Sequence, residues 1–267
     1  MSHTSPQTVL ITGASTGIGY ELAKLFARDR YNLVLVARNR QKLEELASLL
    51  QKEYQVNTTV IDKDLSLTDS PQELYDEINN QGIDIDILIN NAGFGAYGAF
   101  AETDWAREAK MSQLNMISLA HLTKLFLPSM LEKGRGKIMN VASTAAFLPG
   151  PFMALYYASK AFVLSFSEAL NKELEGSGIT VTALCPGATE TEFSKRAKME
   201  KARLFASNLI VMMSAAEVAR QGYVGFMKGK PVIVTGLSNK VMTLGIRFSP
   251  RSWVLGLVHW IMSKREG

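Results

Sequence analysis

Cysteine is almost missing from this chain of 267 residues: Cys185 stands alone. One thiol excludes an intramolecular disulfide framework and fits a reducing compartment. Histidine is equally sparse, and His3, His121 and His259 form neither an HExxH pair nor a motif with Cys185. Metal sites and a cysteine nucleophile thereby lose their usual ligands and base, and no metal is expected. Cys185 closes an apolar run, Ile179 to Leu184, where a small buried residue is the ordinary expectation. Charge of one sign is also lacking, since 29 Lys and Arg stand against 25 Asp and Glu for a net +4. Without a basic stripe interleaved with aromatics, nucleic acid is not an expected partner. The amino terminus, Met1 to Gln7, is short and polar, unlike a signal or transit sequence, so cytoplasmic residence is the expectation.

Long apolar runs are missing too. Val241 to Met262 is apolar, but Arg247, Pro250, Arg251 and His259 interrupt it, which argues against a transmembrane helix. Trp253, Leu257 and Trp260 nevertheless fall near helical spacing, with Lys264 and Arg265 following. The apolar tail at 241–267 therefore reads either as a segment packed on the body or on a neighbouring subunit, or as an interfacial helix in peripheral contact with a membrane.

What is present is an alternation of short apolar runs with longer stretches of helical period, the pattern of a parallel sheet flanked by helices. Strands are expected at Thr8 to Thr12, Asn32 to Ala37, Asn57 to Lys63, Ile85 to Asn90, Lys137 to Val141, Ile179 to Cys185 and Pro231 to Thr235. Long helices are expected from about Trp105 to Glu132 and from Met153 to Glu175, and capping boxes mark helix starts at Ser70 and Ser214. No linker or repeat interrupts the chain, so residues 1–267 read as a single-domain, doubly wound, Rossmann-type α/β fold of about seven strands. Residues 190–213 are too long for an ordinary connection and read as a substrate lid, with Met199, Leu204, Phe205, Met212 and Met213 either covering an apolar ligand or packing on the core.

The first strand runs into Gly13-Ala14-Ser15-Thr16-Gly17-Ile18-Gly19 and then into an amphipathic segment. A strand, a glycine turn and a helix are what a phosphate-binding loop requires, because backbone amides at the helix start meet the pyrophosphate. The second strand ends Ala37-Arg38, where an acid would accept from a ribose 2′-hydroxyl and an arginine would instead bind a 2′-phosphate. Arg38 thus favours NADP(H), unless it is an ordinary surface arginine. Farther along, Tyr156 and Lys160 stand at helical i, i+4 spacing with Ser143 upstream. A nearby ammonium stabilises a phenolate, so the pair can serve as a proton-transfer device.

The loop Thr12-Gly13-x-x-x-Gly17-x-Gly19, the run Asn90-Asn91-Ala92-Gly93, Ser143, and Tyr156-x-x-x-Lys160 occur in one order. In this the chain resembles the short-chain dehydrogenase/reductase family, and the resemblance spans about Thr8 to Thr235. It implies that Asn115 joins Ser143, Tyr156 and Lys160 as a fourth catalytic member; by the residue alone, a helix-interior Asn bonded to local backbone is the other reading. It implies further that the cofactor is touched by Gly13, Ser15, Thr16, Gly17, Ile18 and Gly19, by Asp64 and Leu65 at the adenine, and by Asn91, Ala92 and Gly93. Tyr156, Lys160, Pro186, Gly187, Thr189 and Thr191 complete that set, although Thr189 stands where the family commonly has Ile or Val. Tyr156 would donate a proton while Ser143 holds the carbonyl oxygen and Lys160 lowers the tyrosine pKa. The function implied is hydride transfer between NADP(H) and a small-molecule carbonyl or secondary alcohol, with a hydrophobic ketone or aldehyde favoured by the apolar lid. Reduction of a 3-oxoacyl thioester on acyl-carrier protein is the rival within the class, and a non-catalytic NADP(H)-binding sensor or scaffold is the rival outside it. Pairing into a homodimer or homotetramer is implied by the resemblance alone.

Overall fold

A computed structural model describes residues 6–193 and 212–263. Its amino-terminal half alternates β1 (Thr8–Thr12), α1 (Gly17–Arg28), β2 (Asn32–Ala37), α2 (Arg40–Tyr54), β3 (Thr58–Asp62), α3 (Ser70–Asn80) and β4 (Ile87–Asn90). There follow α4 (Trp105–Ser112), a π-helical turn (Gln113–Ser118), α5 (Leu119–Lys133), β5 (Gly136–Val141), a 3-10 turn (Thr144–Phe147), α6 (Ala154–Glu173) and β6 (Ile179–Cys185). Beyond the short β7 (Thr189–Glu190) and β8 (Met213–Ser214) come α7 (Ala215–Met227), β9 (Val232–Val234), α8 (Leu237–Phe248) and α9 (Arg251–Met262).

The main sheet has seven parallel strands in the order β3-β2-β1-β4-β5-β6-β9, and β7 pairs only with β8. Its strands are apolar on both faces because helices cover both. Leu10 pairs in register with Val34 and Leu88, Leu88 with Ile138, and Ile138 with Val181, so one apolar row crosses five strands. That row is buried under α3 and α5 through Leu74, Ile78, Leu122 and Phe126. The alternate row, Ile11, Leu35, Ile89 and Met139, packs beneath α1, α2 and α7. Strand order reverses between β1 and β4, and in such sheets the ligand crevice opens at the carboxyl ends of the strands there.

Three of the expected strands, β1, β2 and β6, have the expected bounds, and the others differ at their ends by one or two residues, where fraying blurs any boundary. The helix expected from Trp105 to Glu132 is helical throughout but is interrupted by the π-helical turn. Ser214 caps α7 as its box predicts, accepting from Glu217 N at 3.2 Å. The box at Ser70 does not form: Asp69 occupies the cap position, Ser70 is buried within the first turn, and the Glu73 carboxylate goes to Lys63 instead, at 3.3 Å. The lid expectation falls almost entirely on residues 194–211, outside the described residues; only its edges are seen, where Thr189 and Glu190 pair with Met213 and Ser214. The tail forms α8 and α9, and the Tyr97 hydroxyl fastens α9 to the body by donating to Met262 O at 2.7 Å.

Phe26 on α1 is fully buried and meets Tyr31 and Tyr223 edge-on, with ring centroids 5.4 and 4.9 Å away. Replacing Phe26 by Ala should therefore lower unfolding free energy by about 3–5 kcal/mol. Urea denaturation followed by circular dichroism measures this, and a loss below about 1 kcal/mol would mean that the α1–α7 layer is not packed as described.

Candidate active site

At the reversal point the chain ties β1 to β4 with side-chain hydrogen bonds. Thr12 Oγ1 donates to Ile89 O at 3.3 Å and accepts from the backbone N–H groups of Asn91 and Ala92, each at 3.0 Å. Asn91 Nδ2 donates in return to Thr12 O at 2.9 Å and Gly13 O at 3.1 Å. This brings the Asn91 amide against the glycine turn. A Cβ on Gly13 would stand 2.8 Å from Asn91 Nδ2, at a φ of +67°, and a Cβ on Gly19 would strike both that nitrogen and Gly13 O. The glycines are thus required for close packing and leave the backbone amides at the start of α1 facing the crevice.

The crevice is continuous with a cavity of about 1450 Å³, large enough for a dinucleotide and a substrate together. All of the cofactor-side positions expected from the sequence line it: Gly13, Ser15, Thr16, Gly17, Ile18, Arg38, Asp64, Leu65, Asn91, Ala92, Gly93, Pro186, Gly187, Thr189 and Thr191, save Gly19, which is buried beneath the turn. Thr191 Cγ2 would lie 3.0 Å from a Cβ on Gly17, so the loop after β6 reaches the glycine turn. At the end of the cavity beside β2 and β3, Arg38 is largely exposed, 4.0 Å from Asp64, whose other oxygen is held by Ser66 N and Oγ. Neighbouring Arg40 is committed to Glu44 and Asp62 at 2.8 and 2.9 Å. Both arginines line the cavity, and Arg38 is the one with the looser tie. These features fit a nicotinamide dinucleotide: a glycine cradle that a Cβ would fill, backbone donors, and a cation at the ribose end.

The other end holds the remaining predicted residues. Ser143 caps the 3-10 turn, its Oγ accepting from Ala145 N at 3.1 Å and donating to Pro186 O at 3.4 Å. Tyr156 and Lys160 share one face of α6, both buried. Lys160 Nζ donates to Val141 O at 2.8 Å and lies 5.8 Å from the centroid of the Tyr156 ring. Asn115 sits in the π-helical turn, a feature frequent at functional sites. It accepts from Phe94 N at 3.2 Å and donates to Phe94 O at 3.0 Å and Ser159 Oγ at 3.2 Å. Asn115 thus bonds to backbone, but that of the distant Asn-Asn-Ala-Gly loop rather than its own helix. A Cβ on Gly93 would be 3.0 Å from Asn115 Oδ1 and 3.6 Å from Lys160 Nζ, so these three meet at one point.

Burial dominates the electrostatics. It pushes the Tyr156 phenol well above its usual range, with the Ser143 hydroxyl pulling the other way. It lowers Lys160 to about 8 and pushes the Cys185 thiol up to about 12, so that cysteine remains a thiol. The expected lowering of Tyr156 by Lys160 is not seen, because burial outweighs the other influences on the phenol.

Sequence reasoning missed most of the apolar wall. Phe193 stands with its ring 5.3 Å from that of Tyr156, and Tyr157, although it leaves a different face of α6, turns edge-on to Tyr156 at 6.0 Å. Val258 and Met262 of α9 are buried in the same cluster, with Val254 packed beside them. The spacing 254, 258, 262 was the available signal for a helix face turned inward.

The sequence profile of the short-chain dehydrogenases matches residues 7–202. The chain belongs to that family. Its fold is that of family members whose structures are known. One, a short-chain dehydrogenase from Sphingobium yanoikuyae in complex with NADPH, is 33% identical, with 98% of each chain covered and a TM-score of 0.81. Another, the bulky-bulky ketone specific alcohol dehydrogenase from Comamonas testosteroni, is 32% identical over 99% of this chain and 98% of that one, with a TM-score of 0.78. Among curated relatives, a very-long-chain 3-oxoacyl-CoA reductase of Anas platyrhynchos is 35% identical over 71% of this chain, and a ketoacyl reductase of a Nostoc strain is 34% identical over 70%. The matches span 62% and 65% of those two relatives' own lengths.

Removing the buried Asn115 side chain strands the N–H and C=O of the half-buried Phe94. Asn115→Ala should therefore cost about 1–3 kcal/mol of stability. Chemical denaturation reads this directly, and an unchanged midpoint would show that the loop does not depend on the π-helical turn.

Proposed function

We propose that this protein is an NADP(H)-dependent oxidoreductase that reduces a hydrophobic ketone or aldehyde, with Tyr156 as proton donor. The observation that carries this reading is the convergence of Ser143, Tyr156 and Lys160, between the glycine crevice and an apolar wall, on one cavity. Gly13, Ser15, Thr16, Gly17 and Ile18 would hold the pyrophosphate side of the cofactor, Arg38 the 2′-phosphate, Asp64 and Leu65 the adenine, and the Asn91 to Gly93 loop with Pro186, Gly187, Thr189 and Thr191 the nicotinamide half. When bound in reduced form, this cofactor supplies hydride.

The chain's own residues do the rest. As charge gathers on the carbonyl oxygen, Ser143 Oγ would turn its proton from the long bond to Pro186 O and donate a hydrogen bond, and Tyr156 would donate a proton. The raised Tyr156 pKa keeps the phenol protonated at neutral pH, ready to donate, and an alkoxide is a strong enough base to take its proton. Lys160, charged below about 8, favours the phenolate left behind. Asn115 positions Gly93 and Phe94 beside that ammonium. Phe193, Tyr157, Val254 and Val258 exclude water and favour an apolar substituent. The names of the curated relatives favour a second reading of the substrate, a 3-oxoacyl thioester, whose acyl chain this wall also suits. A non-catalytic NADP(H) sensor has no need of Ser143, Tyr156 and Lys160 together. In this reading copies pair through α6 and α7, a proposal supported by exposed Phe162 and Val224 on those helices.

Three outcomes follow. Tyr156→Phe should lower NADPH oxidation with a ketone panel by about 10²–10⁴-fold while sparing cofactor binding, and full turnover would refute the assignment. Arg38→Ala should weaken NADPH binding about tenfold or more and leave NADH nearly unchanged; in a fluorescence titration, equal or tighter NADH binding by the unaltered protein would overturn the NADP preference. Because burial lowers Lys160 to about 8, its charge is present below that value and lost above it. Reductive turnover should be level near neutrality and decline as pH rises through about 8; a rate still level at about pH 10 would contradict this role for Lys160.

A further inference from the structure

The two carboxyl-terminal helices carry apolar residues on more than the face they bury. α9 turns Val254, Val258 and Met262 toward Tyr156, while Trp253, Leu257 and Trp260, spaced i, i+4, i+7, are 76%, 58% and 50% exposed. α8 repeats the pattern with Leu237, Val241, Leu244 and Phe248, all exposed, Phe248 at 83%. Single exposed apolar side chains are ordinary on a protein surface, but rows at helical spacing on consecutive helices mark an interaction face. Lys240, Arg247 and Arg251 lie exposed on the same helices, and the sequence continues with Lys264-Arg265. From Leu237 to Arg265 the sequence contains no Asp or Glu.

We infer that α8 and α9 dock this protein onto an anionic phospholipid bilayer, lying in the headgroup plane. Tryptophan and phenylalanine suit that depth, and the cations meet lipid charge without a carboxylate in the segment to oppose them. Among the described residues no helix is long and apolar enough to cross a membrane, so the contact is peripheral. A second copy of the chain is the competing occupant. Twofold pairing would lay this face on itself and bring its cations together with no acid in the segment to neutralise them. The cavity opens beside the docked face, since Met242 and Leu257 line it while remaining 42% and 58% exposed. An apolar substrate could then enter from the lipid; this consequence rests on the hydrophobic-carbonyl reading, whereas the docking does not.

Deleting the tail would open the cavity, so the test uses point variants of the full chain. Phe248→Ser with Trp253→Ser, and Arg247→Glu with Arg251→Glu, change residues outside the cavity lining. Flotation with vesicles of phosphatidylcholine, with and without phosphatidylglycerol, should show binding that requires the anionic lipid and weakens with salt. Each double variant should reduce binding about tenfold or more, with circular dichroism and thermal midpoint unchanged. Turnover is not the readout, so a wrong substrate would leave the result standing. The inference is overturned if the unaltered protein ignores anionic vesicles or both double variants bind like it. It is equally overturned if vesicle binding is absent and Phe248→Ser with Trp253→Ser splits an oligomer in size-exclusion chromatography, which would make the face a contact between copies.

Discussion

The site depends on the reciprocal hydrogen bonding of Thr12 and Asn91 where the sheet reverses direction. β1 and β4 are neighbours in the sheet, but pairing alone leaves their carboxyl-terminal loops free to diverge. The Thr12 hydroxyl holds the start of the Asn-Asn-Ala-Gly loop, and the Asn91 amide holds the glycine turn. Buried amide and hydroxyl groups left unpaired would be costly, so each member constrains the others. Gly13 and Gly19 follow from this constraint, because the amide occupies the space that their side chains would need.

The same loop carries order across the cavity. Gly93 abuts Asn115 and Lys160, and Asn115 grips both backbone polar groups of Phe94. Beneath them a second network joins β4, β5, α5 and α6: Asn90 Nδ2 donates to Asn140 Oδ1 at 2.9 Å and Thr123 Oγ1 at 3.1 Å, and Asn140 Nδ2 to Ser167 Oγ at 3.0 Å. The helix bearing Tyr156 and Lys160 is thereby fixed to the strand ends by polar bonds as well as by apolar packing. In the proposed reaction such an arrangement would place the proton donor with little loss to reorganisation.

Much of this was legible in the sequence because local patterns carried it. β1 alternates two buried rows within Thr8–Thr12, and its continuation into glycines marks the crevice; Tyr156 and Lys160 share a face by spacing alone. The Ser70 box misled by one position because the helix already begins at Ser70, which is drawn into the core, and Asp69 takes the cap position without a side-chain capping bond. The π-helical turn at Asn115 has no periodic signature, since it is held by a contact with Phe94, 21 residues away in sequence. The place where the tail packs was hidden for the same reason: nothing local to Val258 and Met262 says that they join the cluster of Tyr156. The ionisation of the central pair was also beyond spacing, because burial is the largest influence on both groups.

Placing a buried phenol, a lowered ammonium and a cofactor crevice on one cavity makes hydride transfer to a carbonyl the central claim. The most direct measurement uses NADPH deuterated at C4, in separate R and S forms, with a ketone that the protein consumes. The account predicts deuterium at the carbinol carbon of the product from one of the two forms and not from the other. Cofactor oxidation without deuterium in the alcohol from either form would contradict it.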